Sequence, residues 1–251
     1  MKKSQLPHLV FAATLLLAAA FTGCATATIE QRQTLQNAAE LAAQKQTLTD
    51  SQKSRKPLKP GQWVTVLVET LGDDDDLTLR TIKVLEASEA VTRIEVDSQS
   101  ALSSGALATE GYVIEKFPQN PLFEYTRQQH RVAIQGMVFR RILVKKPDKE
   151  QEEWASEFLM FNKEMLVKLF LTGYIPDDAR VQAEPCTSGY IESKLCYAYP
   201  YKLEFLDHAA VGRAHAHSEV PIVGILHAAD EYRSYKVIAF GEDGATARLT
   251  Y

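Results

Sequence analysis

The chain has 251 residues, 45% hydrophobic and 24% charged, with a formal net charge of −4. That is the composition of a globular protein with room for one large domain or two small ones. A mildly acidic chain argues against a nucleic-acid partner and against docking on anionic headgroups, both of which call for clustered Lys and Arg.

Lys2 and Lys3 precede an apolar run from Leu9 to Phe21 that is broken only by Thr14, and small residues then lead into Cys24. A basic start, an apolar middle and a small-residue end are the layout of a secretory signal. The run is too short to cross a bilayer permanently, which takes roughly 20 apolar residues. Phe21-Thr22-Gly23-Cys24 resembles the lipobox of bacterial lipoproteins, with Phe21 where that family usually has Leu. The resemblance implies removal of residues 1–23, diacylation of the Cys24 sulfur and acylation of the new amino terminus. In the same family an Asp after the cysteine marks retention at the inner membrane. Ala25 therefore implies the outer membrane, lipid-anchored, with the body facing the periplasm.

From Thr26 to Pro60 the composition shifts to Ala, Gln, Lys and Thr without an aromatic residue, closing on Lys56-Pro57-Leu58-Lys59-Pro60. Thr34, Leu41 and Leu48 recur at seven, which suggests a coiled-coil stalk. The apolar stripe is thin, so residues 24–60 are expected to be a helical or disordered tether, with one domain following over 61–251. If helical, its roughly 30 residues hold the body on the order of 45 Å from the membrane.

At Gly61 the pattern changes to period two. Gln62 to Glu69 and Leu77 to Leu85 read as a β-hairpin with Asp73–Asp76 at its tip, and Val91 to Val96 as a third strand. Ser98 to Thr109 reads as a loop. Further strands are expected at Gly111 to Phe117, Phe123 to Gln128 and Arg131 to Val144, the last interrupted at Gly136. Trp154, Phe158, Phe161, Met165 and Leu169 then recur at three and four, predicting a helix or two half-helices over Glu152–Leu171. Later strands are expected at Ala198–Leu206, Val211–Ala216 and the apolar Val220–Leu226. Tyr235–Phe240 and Ala245–Tyr251 read as a closing hairpin.

This order predicts an α+β fold: an antiparallel, partly closed sheet, a half-barrel, packed on the Trp154–Leu171 helix. Gly61-Gln62-Trp63-Val64, Thr81–Leu85, Ile94-Glu95-Val96 and the run Ser218–Leu226 also resemble lipoprotein-localisation (LolA/LolB-like) periplasmic proteins. That resemblance implies an incomplete barrel around helices whose apolar side holds acyl chains.

Cys186 and Cys196 are left as an even set in an oxidising compartment, and a structural disulfide is expected between them. Arg213-Ala214-His215-Ala216-His217 places two imidazoles on one face of a strand, and His208 and His227 could join them at a metal. No third ligand is evident, so His215 and His217 are carried only as metal candidates. Asp73–Asp76 lacks the spaced ligands and glycine of a calcium loop and reads as a hydrated tip. No nucleophile elbow, zinc helix, phosphate loop or dinucleotide fingerprint is present, and no cofactor is implied. The expected role is non-catalytic: binding or structural, with an apolar ligand between sheet and helix. Docking of an envelope protein partner is the second reading. A metal-dependent hydrolase built on His215 and His217 is the third.

Overall fold

The computed structural model describes residues 26–51, 56–70, 76–115, 117, 136–154, 180–205 and 208–251. One sheet dominates them. Its strands are β1 (Gln46–Asp50), β2 (Trp63–Thr70), β3 (Leu77–Ala87), β4 (Thr92–Ser100), β5 (Leu107–Glu115) and β6 (Val138–Lys145). They continue as β7 (Glu152–Glu153), β8 (Gln182–Thr187), β9 (Ile191–Phe205), β10 (His208–Ala216), β11 (Ile225–Asp230) and β12 (Arg233–Gly241). The spatial order is β1-β9-β10-β11-β12-β2-β3-β4-β5-β6-β7, with β8 also paired to β9. Every pairing is antiparallel except β1, which runs parallel to β9 with Gln46 opposite Ile191. The sheet is not closed. Among the described residues one helix, α1 (Ile29–Ala42), and one 3-10 turn (Ala101–Ser103) accompany it. The expected α+β class is met in part: the sheet is mainly antiparallel and not closed, as expected, but among the described residues it dominates, with α1 as its one helix.

The meander β2–β5 follows from alternation. Val64, Val66 and Val68 of β2 join Ile82, Val84, Ile94, Val96, Tyr112 and Ile114 in the principal core on one face. Each such side chain contributes about 1.5–3 kcal/mol by leaving water. Val220, Ile222 and Val223 enter the same core from the β10–β11 turn rather than from a strand. Pro221 has no N–H for a ladder, and Ile222 takes the left-handed conformation at φ 63°. The apolar run from Val220 to Leu226 is therefore a plug with a strand only at its end.

The opposite face carries α1. Thr28 and Gln31 form a reciprocal capping box at its start, the Thr28 hydroxyl accepting from the Gln31 N–H and the Gln31 amide oxygen from the Thr28 N–H. Leu35 and Ala39, one turn apart, bury against Leu67, Leu77, Leu79, Ile238 and Ala239. A two-residue stripe suffices because the sheet face beneath it is apolar. Leu48 of β1 enters the principal core. The expectation of a tether over residues 24–60 is corrected accordingly, since the folded body includes α1 and β1.

Ala245–Tyr251 is not the expected second strand of a hairpin; it lies outside the ladder and packs over β3, β4 and β5. The expected strand at Phe123–Gln128 lies outside the described residues, as does most of the helix expected over Glu152–Leu171; at its expected start Glu152–Glu153 form β7 instead. Trp154 itself packs partly against the principal core, and its N–H donates to the Ile142 carbonyl.

Candidate ligand cleft and imidazole row

Strand register lines up a polar row across the α1-bearing face. Gln182 lies opposite Ala198, Ala198 opposite His215, His215 opposite His227, and His227 opposite Lys236. Residues directly opposite on antiparallel strands share a face. The rings of His215 and His227 accordingly stack, with centroids 5.8 Å apart and planes 14° from parallel. Ala198 is small, so His215 reaches over it to β8, where its Nε2 lies 3.0 Å from Glu184 Oε1. Arg213 donates to both oxygens of the same carboxylate at 2.8 and 3.0 Å. These two partners hold the Glu184 carboxyl below its ordinary range. At the other end Lys236 pairs with Glu69 at 3.5 Å, and Glu69 with Arg32 of α1 at 3.4 Å.

Where this row meets the C-terminal half of α1 there is a cleft of about 470 Å³, lined by Glu40, Thr187, Ser188, Gly189, Tyr190, His227 and Lys236. Tyr190 is fixed as a wall because its hydroxyl accepts from Gln36 Nε2 at 2.8 Å. The Thr187 hydroxyl accepts the Gly189 N–H, and Ser188 accepts the Ile191 N–H, so each keeps its O–H hydrogen to donate. Burial is the main force lowering the His227 imidazole pKa, with the charges of His215 and Lys236 adding to it. The opening thus presents a neutral imidazole, an ammonium, a carboxylate, two hydroxyls and an aromatic ring. Such a surface suits a small polar ligand bearing both charges.

The sequence-level pairing of His215 with His217 does not hold. The register slips between His215 and Ala216, and His217 lies just beyond the strand. His217 is fully buried, its Nε2 donating to the Thr49 carbonyl at 3.1 Å and its Nδ1 accepting the Glu219 N–H at 3.2 Å. Both nitrogens are committed, so it has no lone pair for a metal. Among the described residues no three His, Cys, Asp or Glu side chains converge as a metal site. The true cross-strand partner of His215 is His227, legible only once the β10–β11 register is known.

Cys186 and Cys196 are joined by the expected disulfide, with Cα atoms 5.9 Å apart, stapling β8 to β9 beside the cleft. Cys24 and Asp73–Asp75 lie outside the described residues. Asp76 accepts from the hydroxyls of Thr78 and Ser100 and from the Leu102 N–H, which makes it an anchor for the following turn.

No protein-family description matches the chain, and no curated protein does. A solved structure of a candidate lipoprotein from Parabacteroides distasonis is similar at 12% identity, covering 74% of this chain and 97% of its own, with a TM-score of 0.30. The likeness is too low to define a shared fold, and the finer resemblance to the LolA/LolB type is not among the matches.

Proposed function

We propose that this protein is a lipid-anchored protein of the bacterial outer membrane whose periplasmic body is a non-catalytic binding module. The reading is carried by the cleft, where Glu40, Lys236 and His227 surround one opening against Tyr190. Its ligand is a small polar molecule with both charges, because the cleft is lined by polar groups. The apolar ligand expected between the sheet and the Trp154–Leu171 helix falls on residues outside the described ones, and the space under α1 is filled by Leu35, Ala39, Leu67 and Ile238. The anchoring half rests on Lys2, Lys3, the Leu9–Phe21 run and Cys24.

Native mass spectrometry of the protein extracted from its own membrane tests both halves. The expected spectrum shows acylation at Cys24 and a small polar adduct that Lys236→Ala and His227→Ala each remove. An adduct with the mass of an acyl lipid, retained by both variants, contradicts the polar cleft. For the anchor, Cys24→Ser should abolish palmitate labelling and release the protein as soluble periplasmic material; continued membrane attachment overturns that assignment.

A further inference from the structure

Residues 246–251 are held by side chains that read main chain rather than sequence. Glu95 of β4, fully buried, accepts the Arg248 N–H at 2.9 Å and the Leu249 N–H at 3.0 Å on its two oxygens. Lys83 of β3 donates to the Thr246 carbonyl at 3.3 Å. Gln151 pairs with both main-chain groups of Thr250, donating to its carbonyl at 2.7 Å and accepting its N–H at 2.8 Å. Only two side chains are seated specifically. Leu249 is buried over Gly111, where an added Cβ would stand 2.5 Å from Leu249 Cδ1 and 2.6 Å from the Tyr251 hydroxyl. The Arg93 guanidinium covers the Tyr251 ring at 5.6 Å.

The floor beneath this strap is charged. Lys83 lies 2.7 Å from Asp97 and 3.6 Å from Glu95, and Asp97 also accepts from the Thr109 hydroxyl. Lys83 is shared between two carboxylates, so Glu95 keeps acceptor capacity for the two N–H donors aimed at it. When the strap lifts, water solvates these groups, so opening does not expose the principal core. The strap is also hinged apart from the sheet. Ala245 is fixed by its N–H on the Gly61 carbonyl, and Asp243 by its carbonyl under the Trp63 indole N–H. Motion can begin after Ala245 without disturbing β12.

We infer that the Lys83–Glu95–Gly111–Gln151 surface is a docking groove for an extended polypeptide segment with an aliphatic residue two positions before a tyrosine, and that residues 246–251 occupy it in cis. The groove lies over β3–β5 and is independent of the cleft on β11 and β12. A tethered strap competes at an effective concentration of order millimolar, so a free peptide meets a largely masked site in the wild-type chain. Weakening the strap without altering the groove unmasks it.

The test uses the full chain and a fluorescein-labelled peptide with the sequence of residues 246–251, read by anisotropy. Leu249→Ala in the chain is expected to raise peptide affinity about tenfold over wild type, equivalent to about 1.4 kcal/mol of lost strap competition. In that background Glu95→Gln should abolish binding. Gln151→Ala is the second variant, because Gln151 lies at the periphery and its loss spares Lys83, Glu95 and Asp97; it should weaken binding about threefold or more. No binding to a folded Leu249→Ala chain overturns the proposal, as does binding unchanged by Gln151→Ala.

Discussion

His217 is fixed as a neutral imidazole by a donor bond at one nitrogen and an acceptor bond at the other. A proton on Nδ1 would face the Glu219 N–H, and burial already lowers its pKa below the ordinary value. His227 is lowered as well. A histidine depressed in the folded state stabilises fully above its unfolded pKa, near 6.5, and that stability is lost as pH falls through the folded value. The urea midpoint should therefore be flat above about pH 7 and decline as the pH falls below about 6.5. His217→Gln should lower the midpoint at pH 7, by about 1–3 kcal/mol in stability, and flatten the acid slope. A midpoint constant down to pH 5 contradicts this account. The sequence displayed these histidines but not their partners, because spacing two implies a shared face only while a strand continues, and this one stops at Ala216. Glu95 was still less legible. Within Ile94-Glu95-Val96 it reads as the exposed member of an alternating strand, and the segment that buries it follows some 150 residues later. Gly111 can be tested on the same grounds: Gly111→Ala should lift the strap and speed hydrogen exchange at the Arg248 and Leu249 amides, leaving β2 and β3 protected. Unchanged exchange at those two amides would mean the glycine is not required for seating.

At the scale of elements, strands with strict alternation and short turns were legible, and elements held by distant partners were not. β2, β3 and β4 fall almost where the Val- and Ile-rich alternation puts them, because a half-buried pleat needs that pattern. β8 and the first half of β9 escaped, since Gln182–Thr187 is largely polar and is held by pairing and by the Cys186–Cys196 bond. That bond closes a short loop, so its removal should cost roughly 2–3 kcal/mol in oxidised protein. Comparing the melting of Cys186→Ser with wild type, with and without reductant, checks this; an equal deficit under reduction would place the effect in packing instead. α1 was hidden for a different reason. Its capping box, Thr28-Ile29-Glu30-Gln31, stands in the sequence, but the thin seven-residue repeat of Thr34, Leu41 and Leu48 pointed to the wrong face: Leu41 is exposed, and Leu35 and Ala39 dock the helix. Thr28→Ala should destabilise α1 by about 1 kcal/mol, seen as faster exchange at its first-turn amides with the sheet unaffected.

Across the whole molecule, the placement of α1 changes how an anchored body would sit. A tether over residues 24–60 implied a stand-off of some tens of ångströms. With the folded body starting at Thr28, only three residues separate Cys24 from the helix cap, and four steps of an extended chain at about 3.3–3.6 Å each reach roughly 14 Å in all. The end of the body nearest the anchor is where α1 begins beside the 3-10 turn, joined to it by the Gln31–Ser104 bond. That end exposes Ile29, at 87%, and Leu102, at 43%, so two large apolar side chains lie where a lipidated Cys24 would hold them close to the bilayer. If Cys24 is lipidated, a tether this short also fixes which side of the body faces outward. A donor dye at Ser104→Cys in the lipidated protein, with acceptor lipid in a supported bilayer, should transfer energy at a separation of about 20 Å or less. A dye at Glu184→Cys, on the far side of the α1-bearing face, should transfer more weakly. Equal transfer from both sites, or a separation near 45 Å at Ser104, would restore the long flexible tether and detach the body from the membrane surface.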